Sequence, residues 1–366
     1  MKVFRITALL ILFLLGTACL VWYFCSRETV CGGGRGLQHW SALANVPAGM
    51  LLTDTSQLGE LSVLSDGTLA VGNARGEVKF IRPGEPVRTV SVSGVSISAP
   101  VAEFDGVCYV GDEGGTFAAF TPDKGVLWTF KAGNQITGGA AMDSDGLVWF
   151  GSHDQTLYAL DAAGKLVHEV ACNGQINGSP VFDRSFVYLG SCDGRLRKVD
   201  IHTGEVVQSL DFESYIPETP VLTDGVLYVL THGGDLVAVR ADDFEVQYRV
   251  ATGFTFFSSP FVTDRYLYLA DSNGRIHVYE RGTGAYETDL ASPDKLNPVG
   301  AGTGRGVYTT SLRGRLSFFE EGKWREHVLA EFPSDFKSGV TVSGDVLAVP
   351  DEYGNLFYAR RKDSEP

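Results

Sequence analysis

Three side chains of metal-ligating type, His153, Cys192 and His232, recur at the same place in successive segments of the chain. A zinc ion needs its ligands about 2.0–2.3 Å away, so ligating atoms must lie within roughly 4 Å of one another. Equivalent positions of neighbouring repeats should instead stand on the order of 10 Å apart, the spacing of sheets packed face to face. The three therefore read as solvated turn residues. Asp143-Ser144-Asp145-Gly146 and Asp271-Ser272-Asn273-Gly274 start as calcium loops do. Neither supplies the bidentate glutamate of an EF-hand, and both are strong turn formers. The seven histidines are scattered, and no GxSxG or HExxH motif sets a nucleophile beside a base. No catalytic residue, metal or cofactor is expected.

The six cysteines stand at 19, 25, 31, 108, 172 and 192, with no CxxC pair to suggest a zinc ribbon or a redox motif. Cys172 ends one strand and Cys192 lies in the next hairpin turn, on the same side of the repeat. They form a disulfide candidate if their Cα atoms come within about 7 Å. Cys108, inside VCYVG, reads as an inert buried thiol.

The elements that position these residues repeat. Pro180, Pro220 and Pro260 are spaced evenly, with Pro100 two steps earlier; Tyr188, Tyr228, Tyr268 and Tyr308 keep the same step, as do Gly194, Gly234, Gly274, Gly314 and Gly354. A period of about 40 residues with four short strands per unit is the mark of a β-propeller. Hairpins such as FVYLGSCDGRLRKV and YLYLADSNGRIHVY alternate apolar with small or polar residues around Asp/Asn-Gly turns, which tolerate positive φ. Eight such hairpins can be counted. Outer strands follow the first seven, while the eighth is followed only by charged RRKDSEP. The expectation is an all-β, eight-bladed propeller with four-stranded antiparallel blades, closed by an N-terminal strand in the last blade. Residues 48–54 (AGMLLTD) are the segment expected to fill that place, since an unpaired edge invites aggregation. Residues 48–366 then form one domain.

Residues 7–25 are uncharged, preceded by Lys2 and Arg5 and followed by Arg27. As a membrane helix they would be about 28 Å long, close to a hydrocarbon core of roughly 30 Å. The basic leading side stays cytoplasmic, which places the propeller outside the cytoplasm. Residues 1–26 read as a signal-anchor or as a lipoprotein signal with Cys19 as the lipidation candidate, simple secretion being the third course. Residues 27–47, with their VCGGGRG run, read as a tether. The net charge of −14 argues against nucleic-acid binding, which draws on clustered Lys and Arg.

The segment Lys198-Val199-Asp200-Ile201-His202-Thr203-Gly204 resembles the repeat of the PQQ-like (pyrroloquinoline quinone-like) propeller family, Ala-x-Asp-x-x-Thr-Gly-x-x-x-Trp. Lys198 stands at the alanine position, and Gln208 replaces the tryptophan that docks each blade on its neighbour. Thr283-Gly284 repeats the Thr-Gly, and Trp128 and Trp324 are the residues available for the tryptophan role. Quinoprotein enzymes of this superfamily also need adjacent cysteines and a calcium site; no two cysteines are adjacent here. The resemblance implies a non-enzymatic, membrane-tethered scaffold facing the periplasm or another extracytoplasmic space, which binds protein partners through propeller loops during envelope protein assembly. The alternative is the ectodomain of a single-pass membrane protein that takes a sugar or small molecule in the central funnel. Candidate partner-binding residues are the crossing-loop aromatics Tyr215, Phe254, Phe256, Phe257, Phe332 and Phe336, with Phe256 and Phe336 also placed to start inner strands, as Ile176 and Ile216 do.

Overall fold

The computed structural model describes residues 40–42, 58–82, 85–297, 301–303, 306–332, 335–336, 339–343, 346–350 and 356–361. Strands alternate with tight turns, and the strands form eight four-stranded antiparallel sheets. Blade 4 serves as the pattern: Val181–Asp183 innermost, then Phe186–Gly190, Arg195–Asp200 and Val206–Asp211 at the outside. Register runs Val181 to Tyr188, Phe186 to Asp200 and Arg195 to Asp211. The two middle strands are buried along nearly their whole length and the outer strand is exposed. Middle strands sandwiched between neighbouring sheets bury residues on both faces: Phe186–Gly190 is largely apolar, whereas Arg195–Asp200 also buries Arg197 and Lys198.

The structure corrects the expected eight-bladed propeller. Seven blades are continuous in sequence, at residues 58–91, 102–131, 141–171, 181–211, 221–251, 261–289 and 301–331. The remaining sheet is a composite of Thr341–Ser343, Val346–Pro350 and Leu356–Arg361 with Trp40–Ala42 at its outer edge. The closing strand also differs from the expected one: Trp40 pairs with Arg361 and Ala42 with Ala359, inside the span read as a tether. Residues 48–54 lie outside the described residues. The reason is one of reach. An outer-to-inner crossing spans three interstrand gaps, about 14 Å, and must also reverse direction. Blade 1 uses residues 92–101 for its crossing to blade 2, whereas a strand at 48–54 would leave only 55–57 before Leu58. The membrane helix expected at 7–25 also lies outside the described residues, and none of the described residues forms a helix long and apolar enough to cross a membrane.

The core is a chain of shared interfaces. Each hydrophobic cluster straddles two adjacent sheets, for example Trp149, Leu157 and Val187 between blades 3 and 4. Leu69 and Val71 of blade 1 meet Ala348 and Leu356 of the composite sheet, which closes the ring. No sheet buries both faces alone, so stability comes from neighbour contacts.

Docking between blades follows two forms. Trp128 donates its indole N–H to the Ala162 carbonyl at 3.0 Å, and its ring lies where a Cβ on Gly164 would stand, 2.5 Å away. His168 lies against Gly204 and Tyr248 against Gly284 in the same way. Beside these residues the neighbouring strand carries Ala119, Ala159 and Ala238, which leave room for the ring. Where the docking residue is Gln208, the next turn has Phe244 in place of glycine, at φ 60°, reaching back to Tyr188 at 6.0 Å between ring centroids. Trp324 likewise stands at the glycine position, at φ 52°, and packs edge-on against Tyr266 at 4.9 Å. Trp324 is thus not the outer-strand tryptophan that the repeat pattern suggests. Lys198, at the alanine position, reaches across to donate to the carbonyls of Ala241 (2.8 Å) and Asp242 (3.0 Å).

Candidate functional site

Hairpin turns and outer-to-inner crossings meet on one face of the ring, locked by a repeated backbone bond. The turn N–H donates to the crossing carbonyl from His153 to Gln135, Cys192 to Gln175, His232 to Tyr215 and Ser272 to Thr255, at 2.8–2.9 Å. The crossing residue therefore lies beside the turn side chain on every such blade. The next residue points into the core: Ile136, Ile176, Ile216, Phe256 and Phe336 are buried.

That arrangement sorts the six candidate aromatics. Phe256 and Phe336 are fully buried core residues. Phe332 is half-buried and rests on Phe357 at 4.4 Å and Phe336 at 5.3 Å, extending the core. Tyr215 and Phe257 are 42% and 58% exposed, far more than the other crossing aromatics. Both touch His232, Tyr215 stacking on it at 4.3 Å and Phe257 meeting it edge-on at 5.0 Å. Phe254, three residues before Phe257, stacks on His277 at 3.7 Å. The result is an aromatic platform across blades 5 and 6, with two rings open to solvent.

His277 is fully buried. Its Nδ1 lies 2.6 Å from Asp289 Oδ1 and its Nε2 3.3 Å from Asp271 Oδ2, so both ring nitrogens face carboxylates and the ring is fixed beneath Phe254. Asp271 also accepts backbone N–H bonds from Asn273 and Arg275, and these with His277 hold its carboxyl below the ordinary range despite burial. The calcium-loop candidates are thus turn-forming aspartates: Asp143 accepts from Asp145 N–H and Leu147 N–H and from the Trp149 indole.

His153, Cys192 and His232 each engage their own surroundings. His153 is bonded to Gln135 (2.7 Å) and Thr137 (3.0 Å), and burial lowers its pKa. Asn177 Nδ2 lies 3.6 Å from Cys192 Sγ. Cys172 and Cys192 are free thiols, so the structure does not contain the candidate disulfide. Burial pushes the Cys172 thiol up to about 11 and the Cys108 thiol up to about 12. Cys19 lies outside the described residues.

Two further acids stand where inner strands line the central channel. Burial pushes the Glu218 carboxyl up to about 7, with the Glu60 charge adding to the rise, and burial raises Glu60 as well. Beside Glu218, the segments entering the inner strands hydrogen-bond from blade to blade, Gly139 N–H to Ser179 Oγ and Ser179 N–H to Thr219 Oγ1, both at 2.8 Å. Sequence reasoning passed over Glu60, Glu218 and His277. Glu218 alone carried a signal, as a charge at a ring position filled by glycine in Gly138 and Gly178.

Comparison with known proteins agrees with the fold. Residues 114–213 and 207–287 match the family model described as outer membrane protein assembly factor BamB. Among curated proteins, BamB of Nitrosomonas eutropha is 24% identical over 194 residues, covering 51% of this chain and 44% of that protein. BamB of Moranella endobia is 24% identical over 240 residues, covering 58% and 61%. The chain thus spans less than two thirds of the length of these relatives. The crystal structure of BamB from Moraxella catarrhalis superposes with a TM-score of 0.71 at 17% identity, covering 86% of this chain and 97% of that one. The computationally designed Ika8 protein superposes with a TM-score of 0.70, also at 17% identity.

Proposed function

Because this chain belongs to the BamB-like family of PQQ-repeat β-propellers, we propose that it is a non-enzymatic scaffold that binds protein partners in outer-membrane protein assembly. The proposal includes an extracytoplasmic location, with the propeller held to a membrane by the N-terminal segment 1–26 as an anchor or through Cys19. The observation that carries it is the Tyr215–His232–Phe257 stack, two large aromatic rings held open to solvent on a rigid, locked face. Aromatic anchors with few rotatable bonds lose little entropy on binding and dominate interface energetics. The partner surface is the turn-and-crossing face, centred on Tyr215 and Phe257 with Phe254 at its flank. The buried Phe256 positions it from below, in the core shared by blades 5 and 6.

The test is photo-crosslinking in the native host from a benzoylphenylalanine placed at 215, at 257, or at 124 on a turn of the opposite face. Outer-membrane assembly proteins captured from 215 and 257 but not from 124 support the scaffold. Equal capture from all three positions, or capture of no envelope protein from 215 and 257, overturns it.

A further inference from the structure

Next to the aromatic platform the crossing of blade 6 opens a cleft of about 490 Å³ between the hairpin turn at 271–275 and residues 292–295, with Phe254 as one wall. In blades 4 and 5 the outer strand pairs up to the turn, Arg195 with Asp211 and Asp235 with Ala251. In blade 6 the ladder stops at His277 with Asp289, short of Arg275. The Gly274 carbonyl then accepts from Leu296 N–H, whereas the Gly194 and Gly234 carbonyls accept from Phe212 N–H and Thr252 N–H. The strand peels away and leaves the cleft.

The cleft's charges are unevenly satisfied. Its carboxylates are engaged: Asp271 by His277 and two backbone N–H groups, Asp294 by Arg315 at 3.2 Å and Arg313 at 3.5 Å. Its cations are not. Arg195 and Arg315, at the same ring position as Arg275, pair with Asp211 (3.3 Å) and Glu331 (2.9 Å). The residue facing Arg275 in that pattern is Ala291. Arg275 and Lys295 are exposed and pair with no carboxylate among the described residues. In a chain of net charge −14, this is a cation-rich slot continuous with an aromatic surface.

We propose that this cleft receives an acidic, extended segment of the partner polypeptide, its carboxylate held by Arg275 and Lys295 and the preceding apolar side chain laid on Phe254 and Phe257. A guanidinium offers a carboxylate paired donors, and a lysine adds charge with less directional demand. The inference rests on the docking face proposed above and adds the chemistry that the face selects.

The test is fluorescence anisotropy of rhodamine-labelled Phe-Phe-Asp-Glu-amide against its neutral counterpart Phe-Phe-Asn-Gln-amide, with the folded full chain at low salt. The acidic peptide should bind at least tenfold more tightly, and added salt should erase the difference. The R275E/K295E variant should lose that preference while K124E, on the opposite face, keeps it. Equal binding of the two peptides, or equal loss in K124E, overturns the cleft as a carboxylate site. If the peptides fail while crosslinking from 215 and 257 still captures envelope proteins, only this inference falls. If both fail, the docking face falls with it.

Discussion

Phe244 sits in the left-handed region because Gln208 leaves a space that its ring must fill, and this exchange can be tested by reversing it. Phe244 is 3% exposed and packs on Tyr188. Cutting a buried phenylalanine to a small residue costs about 3–5 kcal/mol. Glycine at φ 60° returns roughly 1 kcal/mol of left-handed strain. Phe244→Gly should therefore cost about 2–4 kcal/mol net. Unfolding entropy near 2.1 cal/mol/K per residue, over roughly 310 residues, makes that a melting-point drop of about 3–6 °C. Adding Gln208→Trp alone should recover little, because Lys198 fills the space that Ala119 leaves beside Trp128. The triple variant K198A/Q208W/F244G restores the Ala119–Trp128–Gly164 arrangement and should regain at least half of the loss. Differential scanning calorimetry reads all three. A drop under 1 °C for F244G, or a stabilising Gln208→Trp in the wild type, would refute the exchange.

The remaining predictions concern single sites. Gly164→Ala should destabilise by about 1–3 kcal/mol in urea unfolding, since its Cβ would collide with Trp128 and φ is 78°. Phe256→Ala should cost about 3–5 kcal/mol, whereas Phe257→Ala should change stability by no more than about 0.5 kcal/mol and act only on partner capture. The Glu218 carboxyl is raised to about 7 from 4.5, so the folded chain holds a proton that the unfolded chain releases. Stability is then greatest below about pH 4.5 and falls as pH rises through 7, by at most about 3 kcal/mol. Glu218→Gln should flatten that slope, and equal slopes in urea titrations between pH 5 and 8 would count against it.

The repeat could be read from sequence because each residue of the Pro180, Tyr188 and Gly194 series does one job in one place, and the hairpins between them keep their alternation. The closing strand could not. WSA at 40–42 carries no pattern, and only the distance an outer-to-inner crossing must cover points to it. Within the face, Phe256 and Phe336 were legible as core from their alignment with Ile176 and Ile216. Tyr215 stands one place before that core position, where its carbonyl meets the turn, and Phe257 one place after it, so both rings face outward. Phe244 and Trp324 illustrate the opposite difficulty: a residue standing in a glycine's place gives no warning of which neighbour it serves. Arg275 is conspicuous only by contrast with Asp211 and Glu331, acids that its own blade lacks.

Trp40 pairs with Arg361 at the end of the ring where third strands finish, away from the hairpin turns. Residues 40 and 361 thus stand side by side on the far side of the disc from Tyr215 and Phe257. An attachment at either point, whether lipid, helix or fused protein, would hold the propeller with its aromatic rings turned outward and unobstructed.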